Sequence, residues 1–321
     1  MGFDIDYIVS LLRAAVLAGT PLLLGTLGEI ITEKAGNLNL GVEGMMYMGA
    51  VAGFAAGLYA DSAPFALFCA FAAGALGALI YAFLTVTLKA NQNVTGLTLT
   101  IFGAGLANYI GEHMVNSTEG GRAVLSDSLM AHFAGVNIPF LSGIPRLGPL
   151  LFQYNLFVYL ALFCAIAAGV YLHHTRKGLN LRAVGENPAA ADAAGVSVSR
   201  YKYLHVMLGG GLCGLGGAYI SIVTCSGVWT YNVVAGQGWI AVALVIFASW
   251  SPYRAIVGSL VFGLLSVLRL YTGSAVRIPT SIYSMLPFVV TAVVLAVSSI
   301  RMSRDRRQPK GCGVNYFREE R

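Results

Sequence analysis

The sequence is poor in charge: Asp, Glu, Lys and Arg together make up 11% of its 321 residues, whereas soluble domains average about 25%. Hydrophobic residues make up 57%. A water-soluble chain of this length needs more polar surface than these residues provide. Charged residues are absent throughout 62–88, 90–111, 147–175 and 278–300. The composition therefore excludes a soluble protein and predicts an all-α, polytopic integral membrane protein.

Motifs of nucleotide, hydrolytic and metal chemistry are also missing. No Gly-Lys dipeptide occurs anywhere, so the chain has no P-loop for ATP. There is no H-E-x-x-H and no G-x-S-x-G, and the five cysteines form no C-x-x-C pair. We therefore predict no catalytic residue, no metal site, no cofactor and no enzymatic activity for this chain.

Nine apolar segments approach the length of about 20 residues that a membrane-spanning helix requires. The start of the chain carries acidic residues where a signal peptide carries Lys or Arg, so we expect the first segment to be retained. Some segments are short or interrupted, and we predict about eight to ten spans, some of them broken or re-entrant. The nine segments are 8–32, 41–60, 64–88, 94–111, 152–173, 203–224, 236–250, 253–271 and 280–300.

Basic residues indicate the orientation of the chain, because cytoplasmic loops are enriched in Lys and Arg. Five of them lie in 174–202 and seven in 301–321, whereas 112–149 holds only Arg122 and Arg146. We therefore predict one transmembrane domain over 1–300, a cytoplasmic loop at 174–202, an external loop at 112–149 and a basic cytoplasmic tail at 301–321. Because this topology accounts for the positive charge, it gives no reason to predict nucleic-acid binding.

Glycine is placed at helical spacing. Gly49, Gly53 and Gly57 recur at every fourth position, and six glycines lie within 209–217. Small residues on one helix face allow helices in lipid to approach closely. We predict close helix packing at these positions; a substrate path lined by bare backbone is the alternative.

The stretch Gly185–Gly195 carries the signals of a short helix. Asn187 suits the N-cap, Pro188 the first helical position, and Gly195 the left-handed residue that ends a helix. Ala and Asp fill the positions between them. Because so short a helix is marginal by itself in water, its exposure predicts docking against another protein, with an ordinary structured loop as the alternative.

Two polar stretches are candidates for a translocation pathway. The first, 32–44, includes Asn37, Asn39 and Glu43, and it is either a plain connecting loop or a broken helix at membrane depth, which must then line a cavity or be buried in protein. The second runs along the fourth segment. Its polar side chains either bind a neutral solute or join helices; the candidates are Asn93, Thr95, Thr98 and Asn108.

Several stretches resemble one family. They are TEKAGNLNLGVEGMMYMGAVAGF at 32–54, GENPAAADAAGVSVSRYK at 185–202, GGLCGLGGAYI at 210–220, GQGWIAVALVIFASWSP at 236–252 and GVNYFREER at 313–321. The chain resembles permease subunits of bacterial ATP-binding-cassette (ABC) importers for branched-chain amino acids, ribose and related sugars, and nucleosides. The similarity extends over nearly the whole chain and is greatest to nucleoside and simple-sugar importers.

The resemblance implies a division of labour in the bacterial cytoplasmic membrane. Two permease chains, identical or different, form the pathway, separate ATPase subunits drive it, and an extracytoplasmic binding protein delivers the solute to the external loop. The resemblance assigns docking on the ATPase to the short cytoplasmic helix. The positions concerned are Gly185, Glu186, Asn187, Pro188, Ala190, Ala191 and Gly195.

Two other functions remain open at this stage. A secondary transporter or channel would work without an ATPase, and broken, glycine-rich helices are compatible with it. An integral-membrane enzyme would require a reactive cluster at the interface, which the sequence does not present. Transport by the purified chain alone would support the secondary transporter or channel. Product formation from a lipid donor would support the membrane enzyme.

Overall fold

The computed structural model describes residues 5–118, 120–136, 142, 144–145, 147–272, 280–301 and 307–318. Within them the regular secondary structure is helical, apart from one isolated β-bridge between Val124 and Val228. The helices are α1 (Ile5–Lys34), α2 (Val42–Ala60), α3 (Ala63–Ala82), α4 (Gln92–Ser117), α5 (Asp127–His132), α6 (Leu147–Leu151), α7 (Leu156–His174), α8 (Arg176–Glu186), α9 (Pro188–Ala193), α10 (Val198–Tyr219), α11 (Gln237–Phe247), α12 (Pro252–Thr272) and α13 (Thr280–Arg301). Both α3 and α10 continue into a π-helical turn, Phe83–Thr87 and Ile220–Thr224 respectively.

Each of the nine predicted apolar segments contains a helix. Five helices of the described chain are long and apolar enough to cross a membrane: α1, α3 and α10 with their π turns, α4 and α7. The fourth segment, predicted at 94–111, is longer than predicted and extends over Gln92–Ser117. The prediction of an all-α polytopic membrane protein is confirmed.

The seventh segment is the exception, because α11 has only 11 residues. At about 1.5 Å per residue it extends about 16 Å, roughly half of a 30 Å hydrocarbon core. The predicted segment 236–250 therefore contains a half-length helix, and the backbone on either side of it must complete the path.

Helix α10 lies at the centre of the bundle and packs against α1, α2 and α3. Glycine makes these approaches possible: a Cβ placed on Gly49 would overlap the Cα and carbonyl of Gly214, and one on Gly217 would overlap the Met46 carbonyl. A Cβ on Gly53 would lie 3.0 Å from the Ala218 methyl. Close packing through glycine is confirmed at these positions.

The bundle has two opposite faces. On one, which we call the tail face, the loop 35–41, the α3–α4 turn, α8, α9 and residues 307–318 meet, with Gly311 donating from its amide to the Gly185 carbonyl at 2.8 Å. On the other, the loop face, Asp61 accepts hydrogen bonds from Ser126 and Ser128. These bonds hold the pKa of Asp61 below its ordinary value. The charge pattern predicts that the tail face is cytoplasmic.

Residues 225–250 join the two faces without a full-length helix. Val228 pairs with Val124 on the loop face, and the irregular backbone then reaches Glu43, whose Cα would lie 2.5 Å from a Cβ on Gly238. Helix α11 completes the path, and the Trp250 indole donates to Glu33 at the tail face. We call 225–250 the broken span.

Candidate functional sites at the tail face and the broken span

Helix α9 begins at the cap that the sequence predicts. The Asn187 side chain accepts a hydrogen bond from the Ala190 amide at 3.1 Å, and Pro188 occupies the first helical position. Proline loses nothing there, because the first amides of a helix have no intrahelical acceptor. The N-terminal half of the prediction is confirmed.

The helix ends at the predicted glycine. Gly195 has φ +83°, its amide donates to the Asp192 carbonyl at 3.0 Å, and the Val196 amide donates to the Ala191 carbonyl at 3.0 Å. This pair of bonds is the Schellman motif, in which a left-handed residue satisfies the last carbonyls of a helix. A Cβ on Gly195 would meet nothing within 4 Å, so only the backbone conformation requires glycine.

One side of α9 is held and the other is exposed. Ala191 packs in a small cluster with Val184 and Val198, and Asp192 accepts a hydrogen bond from the Tyr316 hydroxyl at 2.8 Å. Ala190 lies on the exposed side. Among the other residues assigned to docking, Glu186, Asn187 and Gly195 are exposed, Pro188 is half-buried and Gly185 is buried. Helix α9 therefore presents a smooth alanine surface on a fixed base.

Residues 307–318 form part of this base, which sequence reasoning missed by treating 301–321 only as a basic tail. Arg318 pairs with Asp192 at 3.2 Å, and Asn315 donates to the Lys89 carbonyl at 2.6 Å. Burial raises the pKa of the Cys312 thiol, and the neighbouring Glu33 raises it further. In the sequence, the only indication of this role is that GVNYF belongs to a stretch that resembles the permease family. The rest of the tail, 302–306 and 319–321, lies outside the described residues.

The loop 35–41 is fixed by polar bonds from distant parts of the chain. Asn37 donates to Thr85 Oγ1 at 3.4 Å, the Asn39 amide donates to Glu29 Oε1 at 3.0 Å, and Asn39 Oδ1 accepts from Gly41 at 2.9 Å. Asn37 and Asn39 are at most 1% exposed. In this structure both asparagines hold the loop against its neighbours.

Glu43 caps the half-length helix of the broken span. Its carboxylate accepts hydrogen bonds from the amides of Gly236 at 2.8 Å and Gly238 at 2.6 Å. A carboxylate at a helix N-terminus satisfies unpaired amides and complements the helix dipole. Four residues later, the Tyr47 hydroxyl accepts from the Ala235 amide at 3.3 Å. The pathway candidate Glu43 thus positions the irregular backbone at the break.

The candidates on α4 are divided between two environments. Thr95 is buried, and its hydroxyl donates to the Asn91 carbonyl at 2.8 Å. Asn93 and Thr98 lie on the exposed half of the helix. Asn108 is half-buried and accepts from the Asn232 amide at 3.0 Å, and Asn232 in turn accepts from Tyr47. The structure therefore brings Glu43, Tyr47, Asn108 and Asn232 together at the break and leaves Asn93 and Thr98 apart from them.

Metal binding finds no support in this part of the chain. No group of three His, Cys, Asp or Glu side chains within the described residues is arranged to hold an ion. The polar groups at the break are amides, hydroxyls and one carboxylate that is already bonded to backbone.

A polytopic bundle with a broken span, and with a capped helix on a basic face, belongs to the class of membrane transport subunits. A family model for the permease component of branched-chain amino acid transport systems matches residues 11–295. The chain therefore belongs to this family of ABC transporter permeases, which are transport proteins rather than enzymes. It is a multi-pass protein of the cytoplasmic membrane.

Relatives extend this conclusion over the full chain. A putative glucose ABC transporter permease of Haloferax volcanii is 39% identical over 84% of this chain and 79% of its own length. A nucleoside ABC transporter permease of Lactococcus lactis is 35% identical over 95% of this chain and 96% of its own. A guanosine ABC transporter permease of Bacillus subtilis is 32% identical over 99% of this chain and 100% of its own.

A solved structure supports the fold. It is described as an inward-facing conformation of a putative metal-chelate type ABC transporter, and it matches with a TM-score of 0.50 at 15% identity. The match covers 91% of this chain and 85% of that one. At this identity the likeness concerns the helix arrangement alone.

Proposed function

We propose that this permease imports a nucleoside or a simple sugar and that α9 couples it to a separate ATPase subunit. The observation that carries the coupling is the capped, exposed alanine surface of α9 on its fixed base. The chain has no P-loop, so the energy for import must come from a separate subunit. A short rigid helix without large side chains suits insertion into a cleft on that subunit.

The solute class is supported by two observations. The named relatives carry nucleosides, guanosine or, putatively, glucose. The pathway candidates on α4 lie within 90–111, a stretch that contains no Asp, Glu, Lys, Arg or His. Intramembrane charges mark ion and proton paths, so a polar neutral lining favours a neutral hydroxyl-bearing solute.

The pathway itself needs a second permease subunit, identical or homologous. The exposed half of α4 carries Asn93 and Thr98 together with apolar residues such as Ile101, which is 75% exposed. Asn93 lies in the first turn of α4 beside the tail face, and the apolar residues of the same exposed half follow it along the helix. A facing copy of α4 would enclose this half, with Asn108 and the broken span at its outer part. An extracytoplasmic binding protein would then deliver the solute to the loop face.

The coupling is tested with a bulky residue on α9. Ala190→Trp should reduce copurification of the ATPase at least tenfold and abolish ATP-dependent uptake, because the side chain is exposed and has room without disturbing the fold. Ala183→Trp, exposed on the neighbouring α8, is the matched control and should retain both. Unchanged copurification of the Ala190→Trp variant would show that the ATPase docks elsewhere.

The solute is tested with the assembled transporter. ATP-dependent uptake of labelled guanosine and labelled glucose should identify one of them, with unlabelled leucine failing to compete. Asn108→Leu should lower uptake severalfold while leaving ATPase copurification intact. Uptake by the purified permease alone in liposomes, without ATPase or ATP, would overturn the proposal in favour of a secondary transporter or channel.

A further inference from the structure

A cavity opens at the tail face, beside α9 and at the tail-face end of the broken span, where Ser249 and Trp250 line it. Its volume is about 950 Å³, within the range of about 300–1,000 Å³ that small-molecule sites occupy. The ends of α1, α7 and α8, the α11–α12 turn and residues 307–310 form its walls. The pathway does not explain it, and of the residues assigned to docking it includes only Glu186.

The walls of this cavity are strongly basic. Five cationic side chains line it and one carboxylate, Glu186, opposes them among the described residues; the cations are Lys34, Arg182, Arg254, Arg307 and Lys310. Within the described residues no carboxylate forms an ion pair within 4 Å of these five cations, although Glu186 and Glu33 attract Lys34. Like charges gathered at one place repel each other unless an anion lies between them.

One of these cations has a buried donor that lacks a protein acceptor. The Nε atom of Arg182 is buried, and no described residue accepts a hydrogen bond from it. An unsatisfied buried donor on a charged group destabilises the folded state. Arg182 is only partly buried and lines the cavity, so an anion there would lie beside the accessible part of the same guanidinium group and offset its charge.

The backbone of the cavity wall points to the same ligand. Helix α12, 21 residues long, begins at Pro252, between the wall residues Ser251 and Arg254, and the first amides of a helix have no intrahelical acceptor and bind anions. Before it, Ser249 and Trp250 have φ +49° and +55°, a left-handed conformation that non-glycine residues rarely adopt. This strained turn brings the α12 N-terminus to the cavity.

We propose that this cavity binds a phosphate-bearing anion. Guanidinium groups match phosphate oxygens in pairs, and basic pockets between membrane helices on the cytoplasmic side bind anionic lipid headgroups. A phospholipid headgroup and a free phosphate compound present the same chemistry here. Residues Leu172 and Trp250 in the wall adjoin the apolar part of the bundle, which places the cavity at the boundary where a headgroup lies.

The test uses the full chain in nanodiscs of phosphatidylcholine with a small, fixed fraction of phosphatidylglycerol. Native mass spectrometry counts retained phosphatidylglycerol, and melting in phosphatidylcholine alone checks the fold. Arg254→Gln combined with Lys310→Gln should lower retention at least tenfold. The matched control, Arg176→Gln with Lys177→Gln, removes the same charge from exposed positions on the same face and should change retention less than twofold.

Separate arms identify the source of the phosphate. Inorganic phosphate and ATP are added separately to the wild-type protein and to the Arg254 and Lys310 variants. If either compound displaces phosphatidylglycerol from the wild type, and its own binding is lost in the variants, the site belongs to a free phosphate compound. If neither displaces the lipid, the site belongs to the lipid headgroup. Arg254→Lys with Lys310→Arg should retain binding. Where the double variant fails to fold, each single Gln variant should lose about threefold. Equal retention by wild type and the cavity variants, or an equal loss in the control, would overturn the proposal.

Discussion

Helix α9 and the loop 35–41 lie on the same face of the molecule, but their conformations are determined in opposite ways. The bonds that shape α9 join near neighbours: Asn187 to Ala190, and Gly195 to Asp192. The loop has local bonds as well, but its contacts with the rest of the bundle come from far along the chain. Thr85 and Gln92 bind Asn37 and Leu38, and Lys202 donates to the Gly36 carbonyl at 3.4 Å.

This difference explains the exposure of the two segments. A helix that satisfies its own ends can be presented to solvent, and therefore to a partner, without help from the bundle. A loop with buried amides depends on partners from the bundle, because an unpaired buried polar group costs about 1–3 kcal/mol; here most of these groups are paired, and the Asn37 Oδ1 atom is not. Changes in the loop and in its continuation at Glu43 should therefore destabilise the bundle, whereas changes in α9 should act locally.

The largest effect should follow Glu43→Ala, which leaves the Gly236 and Gly238 amides without their acceptor. Two charge-assisted hydrogen bonds are worth about 1.5–3 kcal/mol each, so we expect a loss of about 3–6 kcal/mol. The free energy of unfolding in mixed micelles measures it. Glu43→Gln, which keeps one acceptor oxygen, should lose less, and Glu186→Ala, at an exposed carboxylate next to α9, should change little. A wild-type melting curve for Glu43→Ala would contradict the capping role.

Two glycines of the same sequence stretch provide the next comparison. A Cβ on Gly185 would overlap the Lys34 carbonyl, so Gly185→Ala should force α1 and α8 apart at a cost of about 3 kcal/mol. Gly195→Ala meets open space and should cost only about 1 kcal/mol, from its left-handed backbone. Hydrogen exchange should show faster exchange around Lys34 in the first variant and around α9 alone in the second.

If both variants disturb only α9, Gly185 is part of the docking helix rather than of the bundle. That result would remove the distinction between local and distant contacts at this face.

Asn187→Ala should have a smaller and strictly local effect. Loss of an N-cap costs about 1 kcal/mol, and the Ala190 amide should then exchange faster. ATPase affinity should fall about fivefold, since 1.4 kcal/mol corresponds to tenfold. Asn187→Asp retains the acceptor and should behave as wild type. Faster exchange beyond 185–196 would show that α9 supports the bundle after all.

The same distinction explains how much could be predicted from the sequence. Apolar runs and the glycine spacing depend on local composition, so all nine segments and the glycine contacts at Gly49 and Gly217 were predictable. So were both ends of α9, because Asn187, Pro188 and Gly195 act within a few residues. Each of these signals is independent of the rest of the fold.

The broken span and the tail base were not predictable in the same way. The short segment 236–250 agrees with the prediction that some spans are broken, but the sequence gives no local signal that the distant carboxylate of Glu43 binds the amides of Gly236 and Gly238, where the helix begins. Likewise, the charge of 301–321 predicts a solvated tail, whereas Asn315 and Tyr316 bind residues more than 100 positions earlier in the chain. The family resemblance at 313–321 marked these residues without indicating their contacts.

The smallest effect should follow Tyr316→Phe, which removes one hydroxyl bond to Asp192. Arg318 still pairs with that carboxylate, so we expect a loss of only about 0.5–1 kcal/mol, seen as faster exchange in α9 and in 311–318 together. Tyr203→Phe is the control, since its hydroxyl bonds to Thr87 on the same face and should leave α9 unchanged. If Tyr316→Phe speeds hydrogen exchange in both α9 and 311–318, the tail restrains the docking helix. Helix α9 would then be folded by its own residues but oriented by distant ones. Faster hydrogen exchange confined to 311–318 would mean instead that the caps alone hold α9 and that the tail does not contribute to its stability.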